Sequence, residues 1–117
     1  MQLVEVTYPS GLPIEGYGPG FFRIAGEARP APLAVMPSGL IEWSGYEDPD
    51  ALIAFAEEID ILFIGTGPEI ANPPSAFRAA LEDAGIGLEL AASPGACRTY
   101  NVVLGEGRRI GIALLPV

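Results

Sequence analysis

Cys97 stands behind Ser93-Pro94-Gly95-Ala96 and directly ahead of Arg98. Ser followed by Pro is a helix start signal, with Ser as N-cap and Pro at the first helical position. A thiol in the first turn of such a helix meets free backbone N–H groups and the positive end of the helix dipole, both of which favour an anion. With Arg98 beside it, the chemistry this placement serves is that of a nucleophilic thiolate. Two observations weigh against it. The chain has no His to act as a base, and a nucleophile ordinarily needs one. Cys97 also shares the i, i+4, i+7 spacing with Asn101 and Leu104, which suits a small apolar side chain turned to the core. A helix terminus contributes only about 0.3–1 kcal/mol, under one pKa unit, whereas burial of a thiol acts in the opposite sense by up to several units. The balance predicts a protonated, slow-reacting Cys97.

Gly65-Thr66-Gly67 follows the apolar run Ile61–Ile64 and invites a dinucleotide-binding reading. The fingerprint requires a third Gly or Ala three positions after the second, opening a helix. Ile70 occupies that position, and no Gly-Lys-Ser/Thr phosphate loop is present, so a tight turn leaving a sheet is the plainer reading. The turn and the Ser93 helix start both follow strands expected to be parallel, so both lie beyond strand carboxyl ends, where ligands of open α/β sheets gather. Thr66, Cys97 and Arg98 thereby define a candidate crevice for a small anion or an enzymatic site. Lack of His, a lone Cys and the broken Gly pattern predict that no metal, nucleotide or other cofactor is needed. Arg108-Arg109 reads as a solvated turn beside the last strand.

The elements that must position these residues follow from pattern. Ile61–Ile64 is too short for a helix and reads as a strand buried on both faces, central in its sheet. Before it, Leu3–Thr7 alternates as an edge strand or arm, within a possible arm over 1–13. Gly16–Gly20 reads as loop, Phe21–Ala25 as a strand, Gly26–Pro32 as an irregular connection, and Leu33–Met36 and Leu40–Trp43 as strands around the turn Pro37-Ser38-Gly39. Together these predict an N-terminal β-meander. Asp48-Pro49 starts a helix to about Glu58, with Leu52, Phe55, Ala56 and Ile59 as its buried stripe. Asn72-Pro73 starts a second helix to Ala84, with stripe Phe77, Ala80, Leu81 and Ala84, ended by Gly85. Ile86–Ala91 is a strand, Ser93 to about Leu104 a third helix, and Arg109–Leu115 the last strand after the turn Gly105–Gly107. The scattered aromatics Tyr17, Phe21, Phe22 and Trp43 read mainly as core packing, with partner contact as the alternative.

Composition narrows the classes. The 117 residues amount to one α/β domain, 1–117, and the 50% apolar content argues against disorder. Fifteen acidic residues against six Arg and no Lys give a net charge of −9. Nucleic acid and anionic membrane surfaces both select a basic footprint, so neither is an expected partner. No apolar run approaches a membrane span and no signal peptide is visible, which predicts a cytoplasmic protein, attached to membranes at most through a protein partner.

Four blocks carry a resemblance: Ile14–Ile24, Asp60–Gly67, Ala96–Val102 and Glu106–Arg108. In that order they resemble a small α/β domain family of unknown biochemical function. The family includes a mitochondrial assembly factor for respiratory complex I and bacterial and archaeal relatives. The resemblance runs from Ile14 to Pro116; where the family usually has a second Gly before the Phe-Arg pair, this chain has Phe21. It implies a three-layer fold, a central mixed sheet with flanking helices and extra strands, the second half being βαβαβ-like. It also implies an assembly or binding role without an established reaction. The matching positions Gly65, Thr66, Gly67, Cys97, Arg98, Tyr100 and Asn101 are the candidate ligand or partner crevice. The expected function is thus a non-enzymatic interaction domain, an accessory factor in respiratory complex I assembly. Its partner would be a respiratory subunit or another assembly factor. The competing readings are a small-anion-binding protein or enzyme at the crevice, and a purely structural oligomer subunit.

Overall fold

Three short apolar runs, Leu33–Met36 (β4), Ile61–Gly65 (β6) and Ile110–Leu114 (β8), form the inner strands of a five-stranded sheet. A computed structural model describes residues 11–117; the arm expected at Leu3–Thr7 lies outside the described residues. The strand order is Gly39–Ile41 (β5), β4, β8, β6, Gly87–Ala91 (β7). β6 pairs in parallel with β7 and with β8, while β4 is antiparallel to β8 and to β5. The sheet is therefore mixed, as expected. The middle position belongs to β8, buried at every residue, and not to β6, which lies one strand from the edge. Both runs are equally apolar, and only the return of the last strand between β4 and β6 separates them.

Alternation along these strands divides the core in two. Leu33, Val35, Phe63, Ile110, Ile112 and Leu114 face one side, where they meet Ala96, Cys97, Tyr100 and Leu104 of the helix Ser93–Gly105 (α3). Ala34, Met36, Leu62, Ile64 and Ala113 face the other. There they cover Leu52 of the helix Pro49–Ile53 (α1) and Phe77 and Leu81 of the helix Ser75–Asp83 (α2). Burial on both faces is what an inner strand of a helix-covered sheet requires. The order β6-α2-β7-α3-β8 matches the expected βαβαβ half.

The first half departs from the expected single meander. Gly16–Gly18 (β1), Phe21–Ile24 (β2) and Glu27–Pro30 (β3) form their own antiparallel sheet, and Phe22 and Ile24 pack into the α3 side of the core. The hairpin β4–β5 leaves this sheet and joins the larger one. Gly16–Gly18 is thus a strand where a loop was expected. A Cβ on Gly18 would lie 2.3 Å from the Phe21 ring, so the glycine is the place the ring occupies. β3 replaces the expected irregular connection. Its polar pattern Glu-Ala-Arg-Pro suits an edge strand, exposed on most of its length.

Two helix boundaries also shift. α1 stops at Ile53, and Ala56–Glu58 continues as a single 3-10 turn before Ile59 becomes extended. The Asp48 carboxylate does not cap α1; it accepts from Ser44 N and Oγ instead. α2 begins at Ser75, after both prolines of Asn72-Pro73-Pro74, because the residue before a proline is held out of the helical region.

Candidate functional site

Gly65 ends β6 where α3 begins, and the two backbones nearly touch. A Cβ there would stand 2.6 Å from Leu114 Cδ2, 2.7 Å from Ser93 Oγ and 2.9 Å from Ser93 Cα. Only a glycine admits that approach. The turn that follows is tied down by two hydroxyls. Ser93 Oγ accepts from Gly67 N at 2.9 Å and donates to Leu115 O at 2.8 Å, joining β6, β8 and α3. Ser93 is fully buried and makes no capping bond, so the expected N-cap is instead a cross-brace of the sheet end. Thr66 Oγ1 donates to Glu69 O at 2.7 Å, with Ala91 O 3.2 Å away, and accepts from Ala71 N at 3.0 Å.

Cys97 is 5% exposed and packs against the sheet from the inner face of α3. Burial pushes its thiol up to about 12, and the neighbouring Arg98 offsets only part of this. Tyr100, on the same face and fully buried, donates its hydroxyl to Leu12 O at 2.9 Å. Its ring meets Phe63 edge-on at 6.4 Å between centroids. Burial raises the Tyr100 hydroxyl too, with Cys97 beside it acting in the same sense. Asn101 pairs both ends of its amide with one residue: Ile14 N donates to Oδ1 and Nδ2 donates to Ile14 O, each at 2.8 Å. Such a pair substitutes for a strand partner and pins the chain ahead of β1 to α3. Arg98 alone in this set is turned to solvent.

The seven residues fall into three groups. Gly65, Thr66 and Gly67 join Ser93 at the sheet end, Cys97, Tyr100 and Asn101 hold α3 to the sheet and to Leu12–Ile14, and Arg98 stands on the surface. Ser93 Oγ bonds both neighbouring strand ends, yet sequence reasoning gave it only a capping role; its signal was Gly65, which alone admits the close approach of Ser93.

An open groove of about 690 Å³ lies elsewhere, between the ends of β3 and β5, lined by residues that include Arg29, Leu40, Glu42, Trp43 and Asp48. Trp43 joins Tyr46 and Phe77 in an aromatic cluster beneath it, with centroids 4.9–6.2 Å apart. No helix among the described residues is long and apolar enough to cross a membrane.

Comparison with known proteins gives a consistent pattern. A family model described as a protein of unknown function (DUF498/DUF598) matches residues 14–115. An uncharacterized protein of Rhodobacter capsulatus is 43% identical over 113 residues, 97% of this chain and 91% of that protein. Human NADH dehydrogenase (ubiquinone) 1 alpha subcomplex assembly factor 3 is 32% identical over 123 residues, covering 99% of this chain. The chain spans 67% of that relative's length. Among solved structures, a Bartonella henselae protein described as an outer membrane protein superposes with a TM-score of 0.82 at 32% identity, over 95% of this chain and 99% of that one.

Proposed function

We propose, from the premise that this chain belongs to the DUF498/DUF598 family, that it is a non-enzymatic interaction domain serving the assembly of respiratory complex I. The observation that carries the reading is the similarity to the human assembly factor across 99% of this chain. The matched span takes in both sheets and the three α-helices of the described residues, so the similarity extends over the folded unit. The site chemistry supports the same reading. The hydroxyls of Thr66 and Ser93 are engaged with backbone groups, and the Cys97 thiol is buried and held protonated. A catalytic group must be free to give up or take a proton within reach of substrate, and these groups are buried away from it.

On this reading Gly65, Thr66, Gly67, Cys97, Tyr100 and Asn101 form the scaffold that fixes α3, and Arg98 is the member presented to a partner. The partner is a protein, a respiratory subunit or a second assembly factor. Affinity purification of the chromosomally tagged protein under native conditions, with mass-spectrometric identification, tests this. Specific recovery of complex I subunits or of another assembly factor is the expected result; recovery of no respiratory protein above the untagged control contradicts it.

A further inference from the structure

Two sheet edges meet at the groove between β3 and β5. Each of these strands ends the order of its own sheet among the described residues. β5 is only half-buried along its three residues. An edge strand carries unpaired backbone groups and is a template for another extended chain. Two residues of the groove wall, Arg29 and Trp43, also carry buried nitrogen donors without acceptors among the described residues. Trp43 is 3% exposed and its Nε1 is buried with no hydrogen-bond partner among the described residues, and Arg29 Nε is in the same condition. An orphaned buried donor is costly, and a ligand that delivers an acceptor removes the cost. Both nitrogens lie beneath the surface, so groove side chains must part to admit that acceptor, an adjustment common at interfaces.

Charge indicates the rest of the occupant. Arg29 already pairs with Glu27 at 2.7 Å. Glu42 and Asp48 also line the groove, and the chain as a whole carries −9. The volume of about 690 Å³ accommodates a short run of extended chain.

We propose that this groove receives an extended segment of a protein partner, running along the free edge of β5. Main-chain carbonyls of that segment reach Trp43 Nε1 and Arg29 Nε, and a Lys or Arg side chain meets Glu42 and Asp48. Strand addition of this kind takes affinity from main-chain bonds and specificity from side-chain pockets. The proposal deepens the reading of the chain as an interaction domain and depends on it.

The test is selection of random phage-displayed peptides on the folded full chain, followed by calorimetry with the enriched peptides. Trp43 is the one Trp in the sequence, so its emission reports the groove directly. The expected result is enrichment of Lys- or Arg-bearing peptides that shift this emission. Their affinity should fall about tenfold in Glu42→Lys, a change at an exposed position, and about fivefold in Trp43→Phe, which keeps a ring and loses the N–H. Thermal scans confirm that each variant is folded. No enrichment, peptides without basic residues, or equal binding to Glu42→Lys overturns the proposal. So does a shift of Trp43 emission by citrate alone at similar affinity, or a dimer that Glu42→Lys dissociates. Undiminished recovery of respiratory proteins with Glu42→Lys sinks the groove and leaves the interaction reading standing. Peptide binding without any respiratory protein recovered sinks the assembly reading and leaves the groove.

Discussion

Replacing Ser93 by Ala leaves Gly67 N–H and Leu115 C=O without their shared partner at a buried position. Each orphaned group costs about 1–3 kcal/mol, so the variant should show a clearly lower urea midpoint with an unchanged slope. Gly65→Ala should be at least as damaging, because its Cβ meets backbone of Ser93 at 2.9 Å as well as side chains. The sequence placed both residues at the right end of the sheet, but not their roles. A Ser before a Pro looks the same whether its hydroxyl caps its own helix or braces two strands. Cys97 was legible, since its spacing toward the core and the missing base both predicted a quiet thiol. Native protein at pH 8 should therefore react with an alkylating reagent far more slowly than urea-unfolded protein; equal rates would contradict its burial. The same thiol fixes a pH dependence. Its folded value, about 12, lies above the ordinary 9.0 of the unfolded chain. The unfolded chain loses its proton first, so this contribution is complete below about pH 9 and is lost as pH rises toward 12. Urea titrations at pH 8 and pH 10 should show that decline, and Cys97→Ala should reduce it.

Between elements, the turn from β2 to β3 explains why a strand went unread. Ala25 and Gly26 both have positive φ, 51° and 80°, in a two-residue connection between the paired residues Ile24 and Glu27. That turn type is normally announced by Asn-Gly or Asp-Gly, and Ala gives no such signal. Ala25→Asn should relieve left-handed strain and raise stability by roughly 0.5–1 kcal/mol, read as a higher unfolding temperature; a lower one would contradict the backbone conformation. The parallel half was far more legible, because β6 and β8 are continuous apolar runs and the helices between the strands begin at proline start signals. What those runs cannot encode is their order. β6 and β8 are equally hydrophobic, and only the long-range pairing of β4 with β8 decides which holds the middle. Leu62→Asp probes the shared core: an unpaired carboxylate at a fully buried position costs several kcal/mol, so circular dichroism should show loss of the folded state, and a native melting curve would contradict the placement of β6.

At the scale of the molecule, the larger mixed sheet is the middle layer: α3 and the small sheet's Phe22 and Ile24 pack on one face, and α1 and α2 cover the other. Among the edge strands of the described residues, β3 and β5 both border one groove of this three-layer arrangement, on an acidic protein. The groups at the sheet end are occupied in holding the layers together. The central claim is that this folded unit serves complex I assembly. Deletion of its gene in the host, with NADH:ubiquinone oxidoreductase activity and native-gel analysis of the respiratory complexes, measures that most directly. Loss of the mature complex with accumulation of subassemblies, restored by the wild-type gene and by the folded Cys97→Ala variant, is the result predicted. Normal activity and a normal complex I band in the deletion strain would contradict it.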